Sequence, residues 1–227
     1  MEEKSIKTIA RGAIILLLGA IIGKALSFAY RVILSQLGEQ AYGEFALGLA
    51  LFGILSVIAI IGLDTGTLKF ISVFHAEKND GKIKGTILFS ARTVFFLSIL
   101  LGTVLFFLSD WVATTLFHTE RLGLILKILA LALPFEGLRS IISPTLKAFK
   151  KIDYEVFGRI LGENVVKILL TLVFISLGLG IIGAVLAYSL SIIISFLMLF
   201  YLLEKKTFPV LNKNIKSISE NKELLRY

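Results

Sequence analysis

Lys24 and Arg31 interrupt the apolar run that follows Arg11. Seven residues turn an α-helix through about 700°, so the two side chains share a face, and Ser27 and Ser35 extend that stripe. A basic residue at mid-bilayer depth costs roughly 2.5–3.5 kcal/mol on insertion scales. Facing lipid, the pair would offset much of what the neighbouring leucines and isoleucines contribute, so protein or water is their expected environment. A second set stands at Arg159, Glu163 and Lys167, spaced i, i+4, with Asn164 beside them. Glu163 is able to pair with either basic neighbour, which leaves one net positive charge on that face. Glu136, Arg139, Asp64 and Arg92 also fall inside apolar stretches, and the net sign of the whole set is positive. A cation-lined cavity among helices suits an anionic ligand such as a phosphate or diphosphate group.

Each of these residues also has a plain structural use. Arg92 and Arg159 have stems long enough to reach the cytoplasmic interface, and Lys127 is placed to do the same at the outer one. Glu136 and Arg139 form a possible packing ion pair. Asp64 reads equally as a helix cap, an ion-pair partner or a functional acid. Gly19 and Gly23 have the small-xxx-small spacing of helix packing.

The elements that must carry these side chains are membrane helices. Of 227 residues, 56% are hydrophobic and only 18% charged, with a mean hydropathy of +0.89. Runs of about 20 apolar residues, enough to cross a bilayer, recur along nearly the whole chain. The expected spans are 12–36, 42–68, 85–109, 122–146, 155–177 and 181–203, followed by a polar, lysine-rich linker over 204–227 with a weak helical pattern at Ile215, Ile218, Leu224 and Leu225. Gly38 breaks the first helix, His75 to Lys82 forms a polar loop, and Asp110 to Arg121 forms another. Pro134 and Pro144 predict kinks and irregular backbone in the fourth span. No charge occurs from Ile168 to Leu203, which suits two spans joined by a tight turn at Gly178-Leu179-Gly180.

Charge sets the orientation. Sixteen basic residues fall on one side: Lys4, Lys7 and Arg11; Lys69, Lys78, Lys82 and Lys84; Lys147, Lys150 and Lys151; and six in the tail, Lys205, Lys206, Lys213, Lys216, Lys222 and Arg226. The other side has Arg121 alone. The positive-inside rule then places both termini in the cytoplasm. It also explains the formal charge of +8 as topogenic, with no nucleic-acid partner required. Residues 1–23 have the form of a signal peptide, but the helix pattern continues past any cleavage point and five remaining spans would invert the charge logic. With no cysteine, disulfide frameworks and thiolate chemistry are excluded. His75 and His118 are expected in loops on opposite faces, which argues against a shared metal site. Neither a phosphate-binding glycine loop nor a serine–histidine–acid set is present, so no catalytic residue, cofactor or enzymatic activity is assigned.

The stretch from Gly23 to Gly38, GKALSFAYRVILSQLG, followed by Ala41-Tyr-Gly-Glu-Phe45, resembles the first helix and loop of polysaccharide-export flippases. These belong to the superfamily that also holds multidrug-and-toxin extruders and lipid II flippases. Gly62-Leu-Asp-Thr-Gly-Thr-Leu-Lys-Phe-Ile71 and Leu131-Ala-Leu-Pro-Phe-Glu-Gly-Leu-Arg139 are similar to later parts of the same lobe. The resemblance implies an all-α membrane protein in which two six-helix lobes enclose a cationic cavity and pass a lipid-linked head group across the cytoplasmic membrane by alternating access. It puts Lys24 and Arg31 on the cavity wall and assigns none of the acids to ion coupling. Read from the residues themselves, Ser27, Arg139 and Lys167 are further candidate substrate contacts, and Asp64, Glu136, Glu163, Asn164 and Arg159 are candidate ion-pair or coupling residues. This chain ends after six spans, and Asn221 to Tyr227 looks like the approach to a seventh. It reads as one product of a split gene, a truncated frame or a designed piece, needing a second lobe from another chain or another copy. Two other functions remain open: half of a cation-coupled multidrug extruder resting on Asp64, Glu136 or Glu163, and a non-transporting membrane scaffold.

Overall fold

The computed structural model describes residues 2–212 and 215–218, with side chains from Gly12 onward. Helices dominate, and no strand forms among the described residues. In chain order they are α1 (Glu2–Ser35), α2 (Glu39–Ile60), α3 (Leu63–Ala76), α4 (Asp80–Trp111), α5 (Glu120–Ala148), α6 (Ile152–Glu155), α7 (Glu163–Ser176) and α8 (Gly180–Lys206). A π-helical segment, Val112–Leu116, prolongs α4, and another, Val156–Gly162, joins α6 to α7 in one continuous rod. Four stretches are long and apolar enough to cross a membrane: Gly12–Ser35, Glu39–Ile60, Asp80–Leu116 and Gly180–Lys206.

α5 lies at the centre, packed against α2, α3, α4 and α8. Its apolar face is fully buried through Leu122, Ile125, Leu126, Leu129 and Leu133. Large hydrophobic side chains also cover the outside, with Phe28, Val57, Phe96 and Phe107 each at least 70% exposed. Lipid solvates such a surface, so the helices are held together by close packing rather than by hiding apolar area. Small residues mediate the approach. A Cβ on Gly48 would lie 2.6 Å from Ile125, and one on Gly102 would lie 2.9 Å from the Ala130 carbonyl oxygen. Thr67 donates a hydrogen bond to Ser90 at 2.9 Å in the fully buried α3–α4 contact. Gly19 and Gly23 serve packing too, receiving Val156 and Ile160 from the rod.

Several boundaries differ from the sequence expectation. The expected helix over 42–68 breaks at Ile61 and Gly62, both left-handed at φ 48° and 70°. The Ile61 amide bonds to the Val57 carbonyl, closing α2, and α3 starts afresh at Leu63. The anticipated polar loop from His75 to Lys82 is only a tight hairpin. α3 runs through Ala76, and Asn79 caps α4 by accepting from the Lys82 amide at 3.1 Å. His75 therefore sits on a helix, its ring 4.6 Å from that of Phe149. The loop expected at 110–121 shrinks to 117–119, because α4 and its π turn continue to Leu116.

The prolines do not interrupt α5, which stays helical through Pro134 and Pro144. Irregular backbone occurs instead at Val156–Gly162. There the wide turn releases carbonyls from the α-helical pattern, and side chains recover two of them: Ser195 donates to the Gly158 oxygen at 2.9 Å and Asn164 to the Ile160 oxygen at 2.6 Å. After α8 the chain folds back. Phe208 and Val210 bury against Phe74, Ile83 and Leu203, and the Ile218 amide bonds to the Gly81 carbonyl at 3.0 Å. Lys213, Leu224, Leu225, Lys222, Arg226 and the stretch from Asn221 to Tyr227 lie outside the described residues, as do the side chains of Lys4, Lys7 and Arg11.

Candidate functional site: a charged seam along the first helix

Arg139 is the hub of the buried charge. From α5, and only 5% exposed, it donates through Nη2 to Glu136 one turn earlier and through Nη1 to Glu163 on α7. The same Nη1 reaches Ser195 Oγ on α8 at 3.4 Å. Lys167 stands 3.8 Å from Glu163, beyond hydrogen-bond length, with its ammonium over the rings of Tyr30 and Tyr188 at 5.0 and 5.6 Å. Two cations and two carboxylates make this cluster neutral, whereas the sequence predicts a positive buried set.

The positive excess lies around it. Glu155, 2% exposed, accepts from Ser143 at 3.0 Å and faces both Lys147 at 3.4 Å and Arg159 at 4.0 Å. One carboxylate shared by two cations leaves a net +1. Lys24 and Arg31 add two more charges; both are exposed on this chain, and neither forms an ion pair among the described residues. Asp64, in the first turn of α3, accepts from Thr65 at 3.4 Å and has no other side-chain partner among the described residues. Of the two basic neighbours open to it, Glu163 faces Lys167 and, among the described residues, makes no ion pair with Arg159. The π turn lies between them, and its wider pitch moves residues four apart off a common line, so each acid serves a different partner.

Three adjoining cavities expose these groups. The first, about 320 Å³, brings Asp64 and Glu136 near Lys147 and Arg159. The second, about 450 Å³, is lined by Lys24, Ser27, Arg139, Arg159, Glu163 and Asn164 among others. The third, about 460 Å³, is lined by Ser27, Arg31, Lys167 and three tyrosines, with no carboxylate in its wall. Arg159 belongs to the first two and Ser27 to the last two. Lys24 and Arg31 thus look into neighbouring chambers, divided at Ser27, whose hydroxyl donates to Asn164 at 3.1 Å. Ser35 bonds back to the Val32 carbonyl at 2.9 Å and lines none of these three cavities. Arg92 is exposed and takes no part in the seam. Lys127 bonds to Asp110 at 2.6 Å, well away from it.

Sequence reasoning missed Glu155, Lys147, Ser143, Ser195, Tyr30 and Tyr188. One signal was available, since extending the Arg159–Glu163–Lys167 series back by four residues lands on Glu155. The tyrosines and serines carry no pattern that separates them from ordinary helix packing.

The fold of this lobe superposes on about half of several solved membrane transporters. An outward-facing MATE family transporter of the MOP superfamily superposes with a TM-score of 0.77 at 20% identity, covering 97% of this chain and 49% of its own. A MOP superfamily transporter from Pyrococcus furiosus, whose binding pocket is described as reversed in polarity, gives 0.74 at 19%, with 97% and 49% covered. The lipid II flippase MurJ, in an inward closed conformation, gives 0.69 at 23%, with 86% and 42% covered. The chain spans about half the length of these proteins. Residues 9–227 match the polysaccharide biosynthesis protein family, and the chain belongs to that family. No curated protein matches the sequence.

Proposed function

We infer that this lobe forms half of a flippase-type transporter that moves an anionic lipid-linked saccharide across the cytoplasmic membrane by alternating access. The lobe crosses the bilayer six times, through α1, α2 with α3, α4, α5, the α6–α7 rod and α8, with both termini cytoplasmic. The observation that carries the reading is Lys24 and Arg31: two cations in the first span, exposed and without ion pairs among the described residues, bordering chambers large enough for a head group. A second six-helix lobe, placed opposite as in the longer structural relatives, would close a cavity over them. An anionic head group would meet both charges in a partly desolvated setting, where attraction exceeds its value in bulk water. Ser27, Arg139 and Lys167 would complete the contacts.

The cation-coupled extruder reading would rest on Asp64, Glu136 or Glu163. Glu136 and Glu163 are both bound to Arg139, which leaves Asp64 alone of the three without an ion pair among the described residues and disfavours that reading. The test is export of the finished glycan in cells that depend on the lobe together with its second half, with membrane levels measured in parallel. Lys24→Gln and Arg31→Gln should each insert normally, because removing an intramembrane charge lowers insertion cost, and each should lose export. Lys127→Gln should be nearly silent. Full export by the double variant would contradict the mechanism and favour a non-transporting scaffold.

A further inference from the structure

The chamber between Arg31 and Lys167 differs in kind from the one beside Lys24. The Lys24 chamber holds mixed charge, with Arg139, Arg159, Glu155 and Glu163 in its wall, largely committed to one another. The Arg31 chamber has two cations and no acid in its lining. Lys167 is 94% buried, yet its ammonium makes no hydrogen bond among the described residues. The nearest carboxylate, Glu163 at 3.8 Å, is already bound to Arg139. A buried ammonium with unused donors, standing between the rings of Tyr30 and Tyr188 on a chamber wall, is a costly arrangement unless an acceptor arrives. Arg31, opposite it on α1, supplies a planar fork that matches an oxyanion.

The walls favour a ring over a bare ion. Tyr30, Tyr42, Phe45 and Tyr188 line the chamber, and aromatic faces pack against the apolar face of a sugar while phenolic hydroxyls serve its polar edge. Its volume, about 460 Å³, is within the range of small-ligand sites. Four helices of this chain build it, since its lining residues come from α1, α2, α7 and α8.

We propose that this chamber is a separate subsite for an acidic sugar residue, its carboxylate held by Lys167 and Arg31 and its ring on the tyrosines. The inference rests on the transport reading in treating that sugar as part of the cargo. The phosphate of the lipid anchor then sits at Lys24 in the neighbouring chamber. The seven residues from Lys24 to Arg31 set the two anionic positions about 10 Å apart along the helix. The lobe accordingly selects a saccharide that carries its own acid near the anchor.

Binding is measured on the full chain in nanodiscs of zwitterionic phosphatidylcholine, by saturation-transfer NMR. The probes are methyl β-glucuronide, methyl β-glucoside and inorganic diphosphate. The glucuronide should bind about ten- to hundredfold more tightly than the glucoside, the range expected for charged hydrogen bonds. Lys167→Gln should remove that preference and Lys167→Arg should restore part of it. Lys24→Gln should leave glucuronide binding intact and weaken diphosphate. Equal binding of the two glycosides to the unmodified chain would overturn the subsite without recourse to any variant. Loss of diphosphate binding in Lys167→Gln, with none in Lys24→Gln, would overturn it in favour of a phosphate site. Failure of the transport reading has a different signature, namely export indifferent to Lys24→Gln and Arg31→Gln.

Discussion

Replacing Arg139 with Met keeps the length and volume of the stem while deleting the charge that two carboxylates share. The native cluster balances Arg139 and Lys167 against Glu136 and Glu163. After the change, one cation faces two buried acids, and Glu136 has lost its ion-pair partner among the described residues. Breaking a buried ion pair by removing one member costs about 3–5 kcal/mol, because the remaining charge stays desolvated. For a domain of this size, at about 2–4 °C per kcal/mol, the apparent unfolding midpoint in mild detergent should fall by roughly 6–20 °C. Adding Glu136→Gln to Arg139→Met restores neutrality and keeps the Glu163–Lys167 contact, so the double variant should recover at least half of the loss. The assay is thermal unfolding followed by size exclusion, with helicity checked by circular dichroism. An Arg139→Met midpoint within about 2 °C of the parent, or a double variant worse than the single, would refute the account of this cluster.

Three further expectations follow from particular contacts. Gly23→Val should push α1 off the rod, since the new Cβ alone would lie 2.4 Å from Ile160; a loss of about 1–3 kcal/mol, read as a lower unfolding midpoint, is expected. Ser195→Ala removes the hydroxyl bonded to the Gly158 carbonyl in the π turn, at about 1 kcal/mol, and hydrogen exchange should rise at residues 158–163 ahead of the rest of α7. In this cysteine-free chain, cysteines at Gln40, Thr119 and Leu179 should react with an impermeant reagent outside intact cells, whereas one at Asn79 or Asn212 should not. Labelling of Asn79 from outside would reverse the topology.

The helical character of the lobe was legible because lipid-facing segments must be apolar for their full length, and that pattern survives in a single sequence. Lys24 and Arg31 stood out for the same reason, being expensive exceptions in an otherwise apolar run. The break at Ile61–Gly62 was not legible, because Ile-Ile-Gly sits within an apolar stretch and lacks the polar turn residues that normally announce a stop. Pro134 and Pro144 misled in the opposite direction. A proline marks a missing hydrogen bond, yet α5 stays helical through both, packed closely where Gly102 meets the Ala130 carbonyl. Pairing inside the site was read only in part. Spacing on one helix left Glu163 open to Arg159 or Lys167; the Lys167 contact forms, while α5 also brings Arg139 to Glu163 and Arg159 turns to Glu155. Such partners come from other helices, and local periodicity does not contain them. The chamber of Lys167 escaped notice because its tyrosines lie 158 residues apart in the chain and meet only when α1 packs beside α8.

Translocation in a defined membrane tests the central claim most directly. The lobe, assembled with its second half in proteoliposomes, is given a fluorescent lipid-linked saccharide bearing a diphosphate, and dithionite quenching from outside reports the fraction of head groups on each side. Protein-dependent equilibration across the bilayer is predicted, slowed at least about tenfold by Lys24→Gln combined with Arg31→Gln, since each lost charge contact is worth a factor of that order. Equilibration at the same rate by the double variant, or none above protein-free liposomes with the parent, would contradict it.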